Sequence, residues 1–389
     1  DYDKVIPEKI RGIQPSGIRK FFDIAQQVEG VISLSVGEPD FKTPWAARKA
    51  AIGVLEKGRT AYTANAGLIQ LREEISKYLL NFIHTEYDPN GEIIVGGSEA
   101  LDLAMRALIQ PGDEVLVPEP SFVCYSPIIT VCGGTPVPIV MTEEDKFKLR
   151  ADALKAKITP RTKALILPFP NNPTGAIMTK EDLAPIVDII IEKDLFVISD
   201  EIYSELTYGT DHVTIAAFPG MKDRTILING FSKSYAMTGW RLGYAAAPHR
   251  ILEQMLKIHQ FALMCAPTTS QYAAVSALRD GDNDVQMMRE AYDQRRRFVL
   301  HAFKEMGLDC FEPEGAFYAF PSIKRFGMTS DEFATRFLRE EKVAVVPGTA
   351  FGASGEGFLR VSYAYSLKNL KAALGRMANF VKRLDEERK

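Results

Sequence analysis

A chain of 389 residues that is 46% hydrophobic and 25% charged can bury a large core and exceeds one ordinary domain, so two are expected. Its net charge of -3 and pI near 6.1 offer no basic excess for nucleic acid, no signal-peptide pattern opens it, and every long apolar run is broken by charge, proline or glycine, so no membrane span is expected. The cysteines, Cys124, Cys132, Cys265 and Cys310, form neither a Cys-x-x-Cys nor a Cys/His metal pattern and read as reduced thiols of a cytoplasmic protein.

In chain order, residues 1–45 read as an arm that contributes to a smaller domain. From 46 to 283, short apolar runs at Ile93 to Val95, Glu114 to Val117, Ala164 to Leu167, Leu195 to Ser199, Thr225 to Asn229 and Gly243 to Ala246 alternate with helical patterns such as Lys180 to Lys193. That alternation predicts an α/β sheet sandwiched by helices, the larger of two domains. Residues 284–389 read as the small C-terminal domain. A charged helix from about Asp284 through Gly307 leads to Phe317-Tyr-Ala-Phe, a helix over 330–340, a strand over Val343 to Val346 and a last helix from Leu367. Arg295, Arg296 and Arg297 read as a solvated face of the long helix. No internal repeat or low-complexity tract interrupts the pattern.

The chemistry concentrates around Lys233, in Gly-Phe-Ser-Lys-Ser-Tyr-Ala-Met-Thr-Gly-Trp-Arg-Leu-Gly (230–243), with Pro-Asn-Asn-Pro-Thr-Gly (170–175) and Ser-Asp-Glu-Ile-Tyr-Ser (199–204) upstream. A lone lysine is ordinarily a surface charge. Here a hydroxyl, Ser232, and a cation, Arg241, share its segment, and an acid, Asp200, closes an earlier strand. These parts answer the needs of pyridoxal 5'-phosphate: an amine for its aldehyde, an anion for its pyridine nitrogen, donors and positive charge for its phosphate. Lys233 is the candidate for the covalent link and, once released, for moving the Cα proton as general base and acid. Asp200 would pair with the ring nitrogen. Tyr203 and Asn172 would face the ring oxygen.

Taken together and in this order, those motifs resemble the class I aminotransferases of pyridoxal phosphate fold type I, from Ser-Val-Gly-Glu-Pro-Asp-Phe (35–41) to Phe-Leu-Arg-Val-Ser-Tyr (358–363). The resemblance implies a mixed, mostly parallel sheet between helices and a smaller α+β domain. It assigns Ser98, Glu99 and Ala100 to a phosphate turn at a helix start, with Ser232 and Arg241 opposite, and Phe122 to an aromatic stack on the cofactor. Without it, Ser98 is an N-cap and Phe122 a core residue. Arg360 becomes the anchor of the substrate α-carboxylate, since a guanidinium forks onto a carboxylate, although an arginine on a strand is otherwise an exposed edge charge. Gly37 matches the backbone contact to that carboxylate, and Tyr62 a tyrosine that reaches the neighbouring subunit's phosphate. A homodimer is thereby implied.

The implied activity is a ping-pong transamination between an L-amino acid and a 2-oxo acid, with 2-oxoglutarate as common acceptor. Ile-Arg-Lys-Phe-Phe-Asp, Tyr-Thr-Ala-Asn-Ala-Gly and Ser-Asp-Glu-Ile-Tyr-Ser-Glu-Leu-Thr-Tyr are most similar to the bacterial and archaeal aromatic and N-acetyl-diaminopimelate enzymes. A lysine common in related aspartate enzymes is replaced by Ser98, which argues against an aspartate specialist. A β-lyase or decarboxylase on the same fold would use the same lysine and aspartate. A non-enzymatic ligand sensor would need an attached DNA-binding segment, and none reads in this sequence.

Overall fold

The computed structural model describes residues 2–96 and 99–388. Its strands in chain order are β1 (Ile32–Ser33), β2 (Ile93–Gly96), β3 (Glu114–Glu119), β4 (Thr135–Val140), β5 (Thr162–Leu167), β6 (Phe196–Asp200), β7 (Thr225–Gly230), β8 (Gly243–Ala246), β9 (Tyr318–Ala319), β10 (Val343–Ala344), β11 (Val346–Pro347) and β12 (Leu359–Ser362). Seven of them form one sheet in the order β2-β8-β7-β6-β5-β3-β4. β8 runs antiparallel to both neighbours, and the other pairs are parallel.

Alternation along the strands explains why apolar runs, rather than half-polar ones, build this sheet. Ile226, Ile228, Ala164, Ile166, Val115 and Val117 pack on one face with the helices Ala100–Leu108, Tyr125–Val131 and His249–Ala262. Leu227 packs on the opposite face with the helices Ile69–Ile83 and Thr268–Asp280, while Leu116, Leu165 and Val197 pack there with Lys180–Glu192. A parallel sheet covered on both faces needs apolar residues at every position. β4 is the strand that the sequence pattern does not announce. Its Thr-Pro-Val-Pro-Ile-Val carries two prolines without N–H groups, which is tolerated because β4 is the sheet edge.

A second, three-stranded antiparallel sheet has the order β11-β12-β9, and β1 pairs with β10 in parallel, tying the N-terminal segment to the C-terminal one. The single strand predicted over 343–346 is therefore two short strands in different sheets. Phe303, Phe317, Phe333, Phe337 and Phe380 build a core here that also takes in Tyr203 and Leu206 from the loop after β6. The helices Asp282–Glu305, Ser330–Glu341 and Leu367–Glu387 enclose it.

The arginine run on the long helix is corrected. Arg295 and Arg296 are buried, and only Arg297 is exposed. Arg295 forks onto Asp40 at 2.7 and 3.0 Å and lies over the Phe41 ring, while Arg296 donates to Asp293, Glu312 and the Pro313 carbonyl. Successive helical residues point in different directions, so one run of like charge serves the 40–41 loop, the 312–313 loop and solvent at once.

Candidate active site

Sheet direction gathers the site. β2, β3, β5, β6 and β7 run the same way, so the residues that follow them emerge at one edge of the sheet. Antiparallel β8 begins at that edge. Gly96 and Gly230 are both register partners of Gly243, which sets the end of β2, the approach to β8 with Arg241, and the Ser232-Lys233 segment side by side. Asp200 is the last residue of β6. Asn172 and Phe122 follow β5 and β3.

Lys233 Nζ donates to the Gly37 carbonyl at 2.6 Å. Burial, then the neighbouring Arg360 and Arg241 cations, push its amine down to about 8, against the opposing pull of Glu38 and Asp200. A lysine so depressed is a usable base and nucleophile near neutral pH. Burial pushes the Asp200 carboxyl up, while the hydroxyl of Tyr125, donating to Oδ2 at 2.7 Å, and the Ile202 N–H on Oδ1 hold it down. Tyr125 was not singled out in the sequence. It opens the helix Tyr125–Val131, 75 positions from Asp200, and only the β6-β5-β3 order of the sheet brings the segments that follow β3 and β6 together.

Arg360 is not an edge charge. It lies on the central strand of the small sheet, is 2% exposed, and has Tyr318 and Phe351 rings at 4.4 and 4.9 Å from its Cζ. Nη1 donates to Asn172 Oδ1 at 2.9 Å and Nη2 to the Ser35 carbonyl, but Nε has no partner, and no carboxylate pairs with it among the described residues. A buried unpaired guanidinium costs several kcal/mol, which an arriving carboxylate relieves. The bond from Arg360 also fixes the Asn172 amide, leaving its Nδ2 as the donor. Tyr203 Oη meets Tyr318 Oη at 2.7 Å, a partner that the sequence showed only as part of Phe317-Tyr-Ala-Phe.

The remaining predicted residues are placed less tightly. Ser98 lies outside the described residues. Glu99 precedes the helix Ala100–Leu108, its side chain bonded to buried His259 Nδ1, and Ala100 is buried in the helix start. Phe122 is 38% exposed and edge-on to Tyr125 at 6.0 Å, so it is not a core residue. Ser232 is half-buried, and Arg241 is exposed with positive φ, its Nη1 on the Thr238 carbonyl. Tyr62 is 79% exposed, in a loop tied to Met264 through Asn65.

A family model described as Aminotransferase class I and II matches residues 29–377. The chain belongs to this family. The aspartate aminotransferase of Pyrococcus abyssi is 48% identical over 94% of this chain and 95% of its own. The aromatic-amino-acid aminotransferase 2 of Thermococcus litoralis is 43% identical over 97% and 98%. The solved aromatic aminotransferase of Pyrococcus horikoshii OT3 superposes with a TM-score of 0.89 at 46% identity, covering 93% of this chain and 99% of that one. This aminotransferase is accordingly a transaminase, its cofactor pyridoxal phosphate and its fold the α/β fold type I, and the lyase, decarboxylase and sensor alternatives are set aside. The residues present fit that cofactor. An amine lowered by burial, a half-buried carboxylate with no ion-pair partner in contact among the described residues, and amide and phenol donors converge on one sheet edge.

Proposed function

We propose that the enzyme transfers the α-amino group of an L-amino acid, aromatic or N-acetyl-diaminopimelate-like, to 2-oxoglutarate in two ping-pong half-reactions. The observation that supports this best is the pairing of a depressed Lys233 with a buried Arg360 that no carboxylate pairs among the described residues. The cofactor, when bound, supplies an aldehyde that links to amines and a ring that accepts electron density from Cα. Arg360 binds the substrate α-carboxylate through its Nε and an Nη, and Asn172 and the Gly37 backbone orient that group so that Cα faces Lys233. Lys233 Nζ takes the Cα proton and later returns one. Asp200 holds the ring nitrogen protonated, and Tyr203 and Asn172 Nδ2 donate to the ring oxygen. Glu99 and Ala100 at the helix start, with Ser98, Ser232 and Arg241, hold the phosphate, and Phe122 covers the ring.

Residues 46–283 would carry the cofactor, with 284–389 and the 1–45 arm closing over the substrate. The exposed Tyr62, Phe261, Leu263 and Met264 support a homodimer in which Tyr62 serves the partner's phosphate site. An aspartate donor is the second reading, favoured by the Pyrococcus abyssi relative. A panel of amino donors assayed against 2-oxoglutarate decides between them: aromatic or acylated donors should lead kcat/KM, and a lead for aspartate would overturn the donor assignment.

Arg360→Lys keeps the charge but loses the planar fork. Amino and oxo acids are expected to bind about tenfold or more weakly, with slower conversion to the amino form of the cofactor, while the spectrum of the lysine-linked cofactor stays normal. Single-turnover conversion across donor concentration measures this. Unchanged affinity for both substrates would move the carboxylate site elsewhere, and with it the closure of 284–389 over the site.

A further inference from the structure

The pair Tyr203–Tyr318 raises a question of proton direction. The two hydroxyls lie 2.7 Å apart, both residues are buried, and their rings meet edge-on at 5.8 Å. No other hydrogen bond is recorded for either hydroxyl among the described residues. Burial pushes both phenols up, so neither ionises and each keeps its hydrogen. One hydroxyl donates within the pair, and the other hydrogen must find an acceptor elsewhere. On the proposed placement of Tyr203 facing the cofactor's ring oxygen, that oxygen is the acceptor on the Tyr203 side, and before a substrate carboxylate arrives no acceptor pairs with the Tyr318 hydroxyl among the described residues. Were Tyr203 the donor, the Tyr318 hydrogen would be left buried without a partner, a costly arrangement.

Three contacts hold Tyr318 in this post. Its strand β9 is locked to β12 with Tyr318 opposite Ser362. The Arg360 guanidinium lies 4.4 Å above its ring. Gly37 leaves room for the hydroxyl, for a Cβ there would stand 2.2 Å from it. The Arg360 cation opposes the upward push of burial on both phenols, and it is the Tyr318 ring that it lies directly over.

We propose that Tyr318 is a positioning residue that donates to the Tyr203 hydroxyl and thereby commits the Tyr203 hydrogen to the cofactor's ring oxygen, with Arg360 above its ring strengthening the donation. The chain Arg360–Tyr318–Tyr203 then joins the carboxylate site to the ring oxygen. It rests on the reading that Tyr203 serves the cofactor, and it adds a residue that makes no contact with the cofactor in that reading.

The test is a pH titration of the near-visible absorbance of the cofactor-loaded enzyme. Donation to the ring oxygen lowers that oxygen's hold on the proton that titrates in this band, so weaker donation moves the midpoint up. Tyr318→Phe keeps the ring beneath Arg360 and removes only the hydroxyl. Its midpoint should rise by about half a pH unit, less than in Tyr203→Phe, with KM for the amino donor within about twofold. A Tyr318→3-fluorotyrosine protein, which keeps the hydroxyl and makes it more acidic, should shift the midpoint the other way and guards against a phenylalanine variant that folds poorly. If Tyr203→Phe moves the midpoint and neither change at 318 does, the proposal is overturned while Tyr203 keeps its place. If Tyr203→Phe leaves it unmoved, the reading of Tyr203 falls and the proposal falls with it.

Discussion

Lys233→Ala is expected to abolish turnover, by about ten thousandfold or more in kcat, and to remove the near-visible absorbance of the lysine-linked cofactor while the fold stays intact. The fold should survive because the Nζ hydrogen bond runs to one carbonyl, that of Gly37, and removing a buried amine leaves no charge behind. Rate should not survive, because in the proposed arrangement Asp200 would be engaged with the ring nitrogen and Arg360 cannot act as a base. The depressed amine adds a pH signature in the wild type. Only neutral Nζ can attack the cofactor aldehyde, so the rate at which cofactor-free enzyme takes up pyridoxal phosphate should rise with pH and level off above a midpoint near 8, the value to which burial and the two arginines bring Lys233. A plateau reached only near the ordinary lysine value would show Lys233 to be solvated. Retention of the absorbance band in the alanine variant would place the covalent link at another residue.

How much of this was legible depended on whether the information was local. Lys233, Asp200, Tyr203 and Asn172 each sit in a compact motif at a strand end, and a sheet of parallel strands converts those positions into one site without further instruction. Asp200 could be named from the strand it closes once that strand was read together with the Lys233 segment. Tyr125, which holds its carboxylate, could not, because nothing within either segment points to the other. Tyr318 was hidden for the same reason. Its neighbours Phe317 and Phe320 are core residues, and a tyrosine among them reads as core until the hydroxyl of Tyr203 is seen against it. Arg295 and Arg296 misled in the opposite sense, since a charged helix looks solvated until loops from either side supply Asp40 and Glu312. The prolines of β4 concealed a strand that only an edge position permits.

Asp200→Asn is the second large loss expected, on the order of a thousandfold in kcat, with the cofactor still bound. The substitution preserves shape and keeps an acceptor for the Tyr125 hydroxyl, so local packing should hold. What changes is charge. Burial pushes the Asp200 carboxyl up, and the Tyr125 hydroxyl, the Ile202 N–H and the charge of Lys233 oppose that push. In the proposed arrangement Asp200 would pair with a protonated ring nitrogen, and each charge would favour the other: the carboxylate would keep the nitrogen protonated and the nitrogen would keep the carboxylate ionised. An amide offers no such return. With the ring neutral, the electron pair released at Cα would lose several kcal/mol of stabilisation, and the effect should fall on proton abstraction with little change in donor binding, which the proposal gives to Arg360. Stopped-flow half-reactions with a Cα-deuterated donor make the distinction, since the isotope effect should grow as that step becomes limiting. A variant within tenfold of wild type, or one with an unchanged isotope effect and weakened donor affinity, would remove Asp200 from the ring nitrogen and leave the upward push on its carboxyl as a consequence of burial alone.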